Sequence, residues 1–325
     1  MTSAAFDVLG IGNAIVDVIS HADDAFLDKH GLVKGSMTLI DERRAEMLYA
    51  AMAPAVEISG GSCGNTVAGV ASFGGRGAYV GKVRNDQLGA VFAHDLRAAG
   101  VAFDTAHATE GPATARSLIL VTPDAQRTMN TYLGACTRLG PADIDTDQVK
   151  AAQVTYVEGY LWDPPEAKKA VLKAFDAAHA AGRKTAITLS DALCVDRYRA
   201  EFHALIRERI DILFANEAEI KSLYQANTFE EALGAVRRDA KVAALTRSEK
   251  GSIVVAGDET RSVPATAVAR IVDTTGAGDL YAAGFLFGFT HGRQLAECAR
   301  LGGNAAAEII SHVGARPEMV LRELI

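Results

Sequence analysis

Through most of its length the sequence alternates short, strand-like apolar runs with alanine-rich runs of helical period. Phe6–Gly12, Ala78–Val83, Val154–Gly159, Lys184–Ser190, Asp211–Asn216, Val242–Thr246 and Gly251–Ala256 read as strands. Thr66–Phe73, Leu88–Ala99, Glu166–Ala181, Arg197–Arg207, Glu217–Tyr224, Thr228–Arg238, Gly278–Thr290 and Leu295–Ile310 read as helices. Strands joined through helices run parallel, and a parallel sheet needs helices on both faces to bury its side chains. The expected fold class is therefore α/β, a three-layer sandwich around a mostly parallel central sheet, in a single domain over residues 1–325. Aromatic residues make up only 6% of the chain, so aliphatic side chains and alanine must fill most of that core.

Two stretches break the alternation. IVDVIS followed by SMTLID (Ile15–Asp41), and TARSLILV followed by RTMNTYL (Thr114–Leu133), are strand pairs with no helix read between them. Pro123 and Asp124 supply a turn for the second pair. These strands either extend the central sheet or form a small separate β-sheet, a lid made of about residues 14–41 and 112–135. A lid has a chemical use, because it excludes water from a transfer reaction.

A formal net charge of -7 argues against nucleic acid or an anionic membrane as the partner, yet leaves room for an anionic small molecule at a helix N-terminus. Cys63, Cys136, Cys194 and Cys298 form no CxxC pair, which fits reduced thiols in a cytoplasmic protein and neither a zinc site nor a disulfide framework. The apolar N-terminal stretch lacks a basic region and carries Asp7 and Asp17, so it reads as strand and not as a signal peptide. No run of about 18 apolar residues occurs, and no membrane span is expected. A monomer and a homodimer are equally compatible with the sequence.

The most chemically specific segment is DTTGAGDLYAAGFLFGF, Asp273–Phe289. A strand-like IVDTT runs into Gly276-Ala277-Gly278, and an apolar helix begins at about Asp279. Glycines at such a junction let backbone N–H groups converge on an anion, and the helix dipole adds partial positive charge there. Asp279 reads either as a helix cap or as a base poised beside an anion hole. Capping alone leaves the glycines on both sides of Ala277 without a purpose. Two other phosphate-binding patterns are absent. GIGNAI has Ile15 where a dinucleotide fingerprint needs glycine or alanine, and no GxxxxGK[ST] occurs.

DTTGAGD followed by an apolar helix resembles the C-terminal signature of the ribokinase/PfkB family of carbohydrate and nucleoside kinases. The resemblance implies an ATP-dependent phosphotransferase in which Asp279 is the general base and the backbone of Gly276, Ala277 and Gly278 forms the anion hole. NEAE (Asn216–Glu219) resembles the family's NxxE motif, which organises Mg2+ and phosphate, with Glu219 acting on the metal indirectly. Taken alone, an Asn–Glu helix start is an ordinary cap. TRSEKGS (Thr246–Ser252) resembles the strand and turn along the nucleotide, with Arg247 and Ser248 where glycine is usual. Asn304, in GGNAAAEII, matches a position beside the nucleotide base, and close helix packing explains its alanine neighbours equally well. Asp273 and Thr275 lie where some relatives hold a monovalent cation such as K+, and Thr275 is also placed on the nucleotide side.

At the other end, GGSCGNTVAGVASFGG (Gly60–Gly75) resembles the family's N-terminal signature. Gly60 and Gly61 let backbone approach a polar ligand, and Asn65 offers both a donor and an acceptor. Asp17 reads by itself as an exposed strand residue, but a carboxylate can also accept both hydroxyls of a vicinal diol. The resemblance assigns Asp17, Gly61 and Asn65 to sugar hydroxyls. GNAIVDVIS, GSMTLID, TARSLILV, MNTYLGA and GYLWDPP look like the bacterial adenosine kinases of the family, which implies adenosine as acceptor; ribose, fructose or another nucleoside is the alternative. Met37, Leu39, Leu133, Tyr160 and Trp162 are candidates for a purine slot or for lid packing. Arg116 matches a lid arginine that closes over phosphate.

Overall fold

The strand-forming runs sort into two separate sheets in the computed structural model, which describes residues 4–124 and 126–325. In chain order the strands are β1 (Phe6–Ile11), β2 (Ile15–His21), β3 (Met37–Leu39), β4 (Val56–Ser59), β5 (Gly77–Val80), β6 (Val101–Phe103) and β7 (Ala115–Val121). They continue with β8 (Arg127–Tyr132), β9 (Ala152–Glu158), β10 (Lys184–Thr188), β11 (Ile212–Asn216), β12 (Val242–Thr246), β13 (Ser252–Ala256) and β14 (Glu259–Val263). Among the described residues the larger sheet has the order β14-β13-β12-β11-β10-β9-β1-β5-β6. It is parallel from β6 to β12, and only the β13–β14 edge is antiparallel.

Period-two alternation along the central strands divides the core between two faces. Val8, Tyr79, Tyr156, Ile212, Phe214 and Ala244 point into one buried cluster, with Leu280, Phe285 and Leu301 from the helices Ala277–Thr290 and Leu295–Ile309. Their neighbours Leu9, Ala78, Val157, Leu213 and Leu245 point into the other, with Val171, Phe175 and Phe202 from the helices Pro165–Ala180 and Ala192–Glu208. This is the three-layer α/β sandwich expected from the alternation. The chain leaves β1 for β5 and β6 on one side, then returns to β9 on the other. The switch point therefore lies between β1 and β9, and the carboxyl ends of parallel strands at such a point are where open sheets bind ligands.

The second sheet has the order β3-β8-β7-β2-β4. The two anomalous stretches thus form a separate sheet and do not extend the central one. Its composition differs from the sequence reading in three ways. Asp24–Lys29 is helical between β2 and β3, and those strands are not neighbours; β2 pairs with β7 and β4, while β3 pairs with β8. The additional edge strand β4 extends the sheet beyond residue 41; it is short and carries Glu57, so its alternation is faint. The β7–β8 hairpin is present, closed by Thr122 N–H donating to Gln126 O at 3.0 Å, while Ala125 of the expected turn lies outside the described residues.

Candidate active site

Ile271–Thr275, read from sequence as strand, is irregular, because Val272 N–H donates to Ile310 O at 2.8 Å and the segment joins neither sheet. The chain then turns at Gly276, whose φ of 78° is left-handed, and the helix begins at Ala277, earlier than expected. In its first turn the N–H groups of Gly278 and Asp279 have no intrahelical acceptor. Ala277 N–H donates to Thr274 O at 3.3 Å. The loop therefore presents donors at the positive end of a helix whose remaining length is sunk in the core.

Asp279 is not a cap. No side chain caps this helix, and the Asp279 carboxylate turns away to meet the helix Ser62–Ser72. Ser62 Oγ donates to Asp279 Oδ1 at 2.6 Å and Asn65 Nδ2 to Oδ2 at 3.0 Å. Burial raises the Asp279 carboxyl above its usual range, and these two hydrogen bonds with the nearby Arg316 charge offset part of the rise. The Gly69 position, where a Cβ would stand 2.6 Å from Ala283 Cβ, lets the two helices approach closely enough for this contact.

Two cavities meet at this carboxylate. The smaller, about 210 Å³, is lined by Thr188, Asn216, Glu219, Thr246 and the loop Gly276–Gly278. The larger, about 520 Å³, is lined by Asn13, Asp17, Gly61, Asn65, Glu158, Tyr160 and much of the second sheet. Asp279, Ser62 and Ser190 border both.

In the smaller cavity, Asn216 and Glu219 form the capping box that their spacing suggests. Glu219 takes Asn216 N–H at 2.9 Å and Nδ2 at 2.6 Å, and Asn216 Oδ1 takes Glu219 N–H at 2.9 Å. Both also face the cavity, so the cap and the site coincide. Burial pushes Glu219 up to about 7, with Asp191 and Asp279 adding to the rise. A cation nearby would return it to the charged form. Ser248 adopts φ 51°, the left-handed conformation that a glycine would supply, so the turn is retained; Arg247 lies over the Phe229 ring at 3.8 Å and pairs with Glu217 at 2.9 Å.

The larger cavity is walled by one face of the second sheet. Register places Asp17 beside Ser117, Ser117 beside Thr131, and Met37 beside Met129, and all of these line it. The opposite face, including Val16, Val18 and Leu118, is buried. Among the described residues no group donates a hydrogen bond to the Asp17 side chain. Gly60 leaves it room, since a Cβ there would stand 2.4 Å from Asp17 Oδ2. Burial pushes Asp17 up to about 6, against the pull of Arg127 and Arg316. Met37, Leu39, Leu133 and Tyr160 line the cavity, joined by Leu193, which is 70% exposed across the mouth.

Several expected residues lie elsewhere. Arg116 lines neither cavity; it sits between the rings of Tyr49 and Tyr132, at 5.8 and 5.9 Å. The arginine of the second sheet that reaches the glycine loop is Arg127, which ion-pairs with Asp273 in a buried contact. Asp273 also accepts Gly314 N–H and Thr275 N–H, each at 3.0 Å. Its carboxylate is therefore already neutralised and does not fit the monovalent-cation role. Thr275 borders the larger cavity, while Thr274 borders the smaller. Asn304 touches neither and binds Thr266 Oγ1 at 2.9 Å and Leu324 O at 3.3 Å. Trp162 is core, with its indole N–H on Glu201 at 2.9 Å.

Sequence reading passed over Glu158, Ser190, Leu193, Arg127 and Arg316. Ser190 has a left-handed φ of 71° and its Oγ accepts Gly159 N–H at 2.8 Å. Arg316 donates to Ser59 O and Gly64 O at 2.8–3.0 Å, placing a half-buried cation near Asp17 and Asp279. None of these stands in a spacing pattern that a single sequence displays. Among the described residues no group of three or more His, Cys, Asp and Glu could hold a metal, and no helix is long and apolar enough to cross a membrane.

Comparison with known proteins gives the same architecture. The structure matches the adenosine kinase from Sinorhizobium meliloti with a TM-score of 0.92 and 57% identity, covering 99% of this chain and 98% of that one. It also matches a probable sugar kinase from Rhizobium etli with a TM-score of 0.92 and 53% identity, at 99% and 98% coverage. Adenosine kinase 1 of Arabidopsis thaliana is 25% identical over 97% of both chains. The pfkB family carbohydrate kinase pattern matches residues 38–320, most of the sequence, and together with the fold this makes the chain a member of the pfkB family of kinases.

Proposed function

We propose that this kinase transfers the γ-phosphoryl group of ATP to the 5′-hydroxyl of adenosine, giving AMP and ADP. The observation that carries the reading is the position of Asp279, the one carboxylate bordering both cavities among the described residues. The smaller cavity, with its glycine loop and helix N-terminus, suits phosphate. The larger, with an unpartnered Asp17 and an apolar rim, suits a ribose that carries a flat ring.

In this reading Asp17 accepts the ribose diol, and the 5′-hydroxyl then points toward Asp279. Asp279, kept in place by Ser62 and Asn65, takes the hydroxyl proton as the oxygen attacks the γ-phosphorus and the bond to the ADP oxygen breaks. The N–H groups of Gly276–Gly278 stabilise charge on the transferring group. Thr246, Asn216 and Glu219 border the nucleotide. Mg2+ would be held by phosphate oxygens and, through water, by Glu219 and Asn216, and it supplies charge neutralisation. The second sheet acts as a lid that keeps water from the phosphoryl group.

The adenosine acceptor is supported by the 57% identical relative that bears that name. A sugar acceptor is the second reading, because the 53% identical relative is described as a probable sugar kinase. The rim of Met37, Leu39, Leu133 and Leu193 favours adenosine, since a lone furanose has no apolar face to set against it. ADP release measured with adenosine, ribose and fructose decides the matter: adenosine should have the highest kcat/KM, and a sugar that exceeds it overturns the adenosine reading.

A further inference from the structure

Glu158 ends β9 at the switch point, next to the end of β1, and borders the larger cavity. It is 1% exposed and is a long side chain with no cationic partner among the described residues. Its oxygens are met by N–H groups from two distant segments. Oε1 accepts both Asn13 N–H at 2.9 Å and Asn13 Nδ2 at 2.7 Å, and Oε2 accepts Cys63 N–H at 3.0 Å. The contact leaves no slack, since a Cβ at Gly12 would stand 2.6 Å from Oε2.

The chemistry of this contact fixes the direction of the Asn13 amide. Burial pushes Glu158 up to about 7, but Oε1 already takes two N–H groups and a carboxyl proton finds its free position on Oε2, so the Asn13 nitrogen faces Oε1 and its Oδ1 faces away. Among the described residues no group donates to that Oδ1, and Asn13 itself lines the larger cavity. The oxygen is therefore left as an acceptor for whatever the cavity holds. Burial of a carboxylate is costly, and a costly group that secures one amide orientation is accounted for by what that amide reads.

We propose that Glu158 is a specificity-determining positioning residue. By taking both N–H groups of Asn13 it holds Asn13 Oδ1 as an acceptor in the cavity wall, so that the site selects a ligand with an N–H or O–H donor at that point. A glutamine at position 158 has one donor end and one acceptor end. In either orientation it sets N–H against N–H, either at Cys63 or at Asn13, and the second orientation turns the Asn13 amide over.

The inference rests on the larger cavity being the acceptor site, and the test separates the two. kcat/KM is measured for the wild type, Glu158→Gln, Glu158→Asp, Asn13→Ala and Asn13→Ala/Glu158→Gln. The acceptors are adenosine and analogues that each lack one donor: purine riboside, 2′-deoxyadenosine and 3′-deoxyadenosine. Glu158→Gln should lower kcat/KM for adenosine about tenfold, mainly through KM, as the loss of one hydrogen bond to ligand predicts. For one analogue, the one that lacks the donor read by Asn13, it should change nothing. The double variant should lose no more than Asn13→Ala, and Glu158→Asp should repeat the pattern if the glutamine variant does not fold. Equal losses on every acceptor, or none on any, overturn the proposal. A wild type that uses a sugar and not adenosine refutes the adenosine reading separately, and the same cycle is then run with deoxy forms of that sugar.

Discussion

The two cavities that share Asp279 are built in opposite ways. The smaller is made from the carboxyl ends of β10, β11 and β12 and one continuous loop, Thr274–Gly278, leading into a buried helix. The larger borrows one wall from the central sheet and the other from β2, β3, β7 and β8 of the second sheet. On the proposed reading the smaller holds phosphate, which is the same in every substrate, so its site can be a fixed piece of backbone at a helix end. The larger would then hold the acceptor, which varies, among side chains on separate elements that can change one at a time.

The largest expected effect falls where the cavities meet. Asp279→Asn should lower kcat by about 10²–10⁴, with thermal unfolding close to wild type, because the amide keeps the shape and loses the base. A kcat within a factor of three of wild type would remove Asp279 from the chemistry.

Next come two arginines of the second sheet, which line neither cavity and differ in what each one ties down. Arg127→Ala leaves Asp273 buried without its guanidinium and should cost about 3 kcal/mol. Arg116→Ala removes ring contacts with Tyr49 and Tyr132 and should cost about 1 kcal/mol. Denaturant midpoints in the reverse order would mean that the Arg127 contact is not what ties the second sheet to the glycine loop.

How much of this was legible in sequence follows the same division. The alternation of runs located every strand of the parallel sheet except β6, which has only three residues. The antiparallel edge strand β14 escaped because ETRSV is polar and half exposed. Asp279 and its loop were legible because four consecutive residues, Gly276–Asp279, carry one chemistry. Asp17, Gly61 and Asn65 came from resemblance, and the structure brings them to one cavity. Arg127 was passed over for Arg116 because both are arginines at strand starts in the same hairpin, and only register and side-chain direction separate them. Glu158 was invisible because its partners lie 145 and 95 residues away.

A smaller effect separates the cavities by pH. Burial raises Glu219 in the smaller cavity to about 7 and Asp17 in the larger to about 6. A raised carboxyl contributes stability that is complete below its unfolded pKa and is lost as pH rises through the folded one. Glu219→Gln, which carries no charge, should therefore be more stable relative to wild type at pH 8 than at pH 5, by on the order of 2 kcal/mol. Activity moves the other way, since Asp17 must be ionised to accept the diol; kcat/KM for the acceptor should fall as pH drops below about 6. A flat profile from pH 8 to pH 5 contradicts that role for Asp17.

The smallest effect tests the apolar rim. Leu39→Ser should raise KM for adenosine about five- to tenfold through lost apolar contact and leave KM for ATP unchanged. A change in KM for ATP would place the nucleotide in the larger cavity and exchange the two assignments.

The central claim is that two ligand sites meet at one carboxylate, and a single inhibitor tests it. Two adenosines joined 5′ to 5′ through a chain of phosphates should reach from the larger cavity past Asp279 into the smaller. Steady-state inhibition should then be competitive against adenosine and also competitive against ATP. Competition with only one substrate would contradict the account, because it would mean that the two cavities do not hold the two reactants side by side.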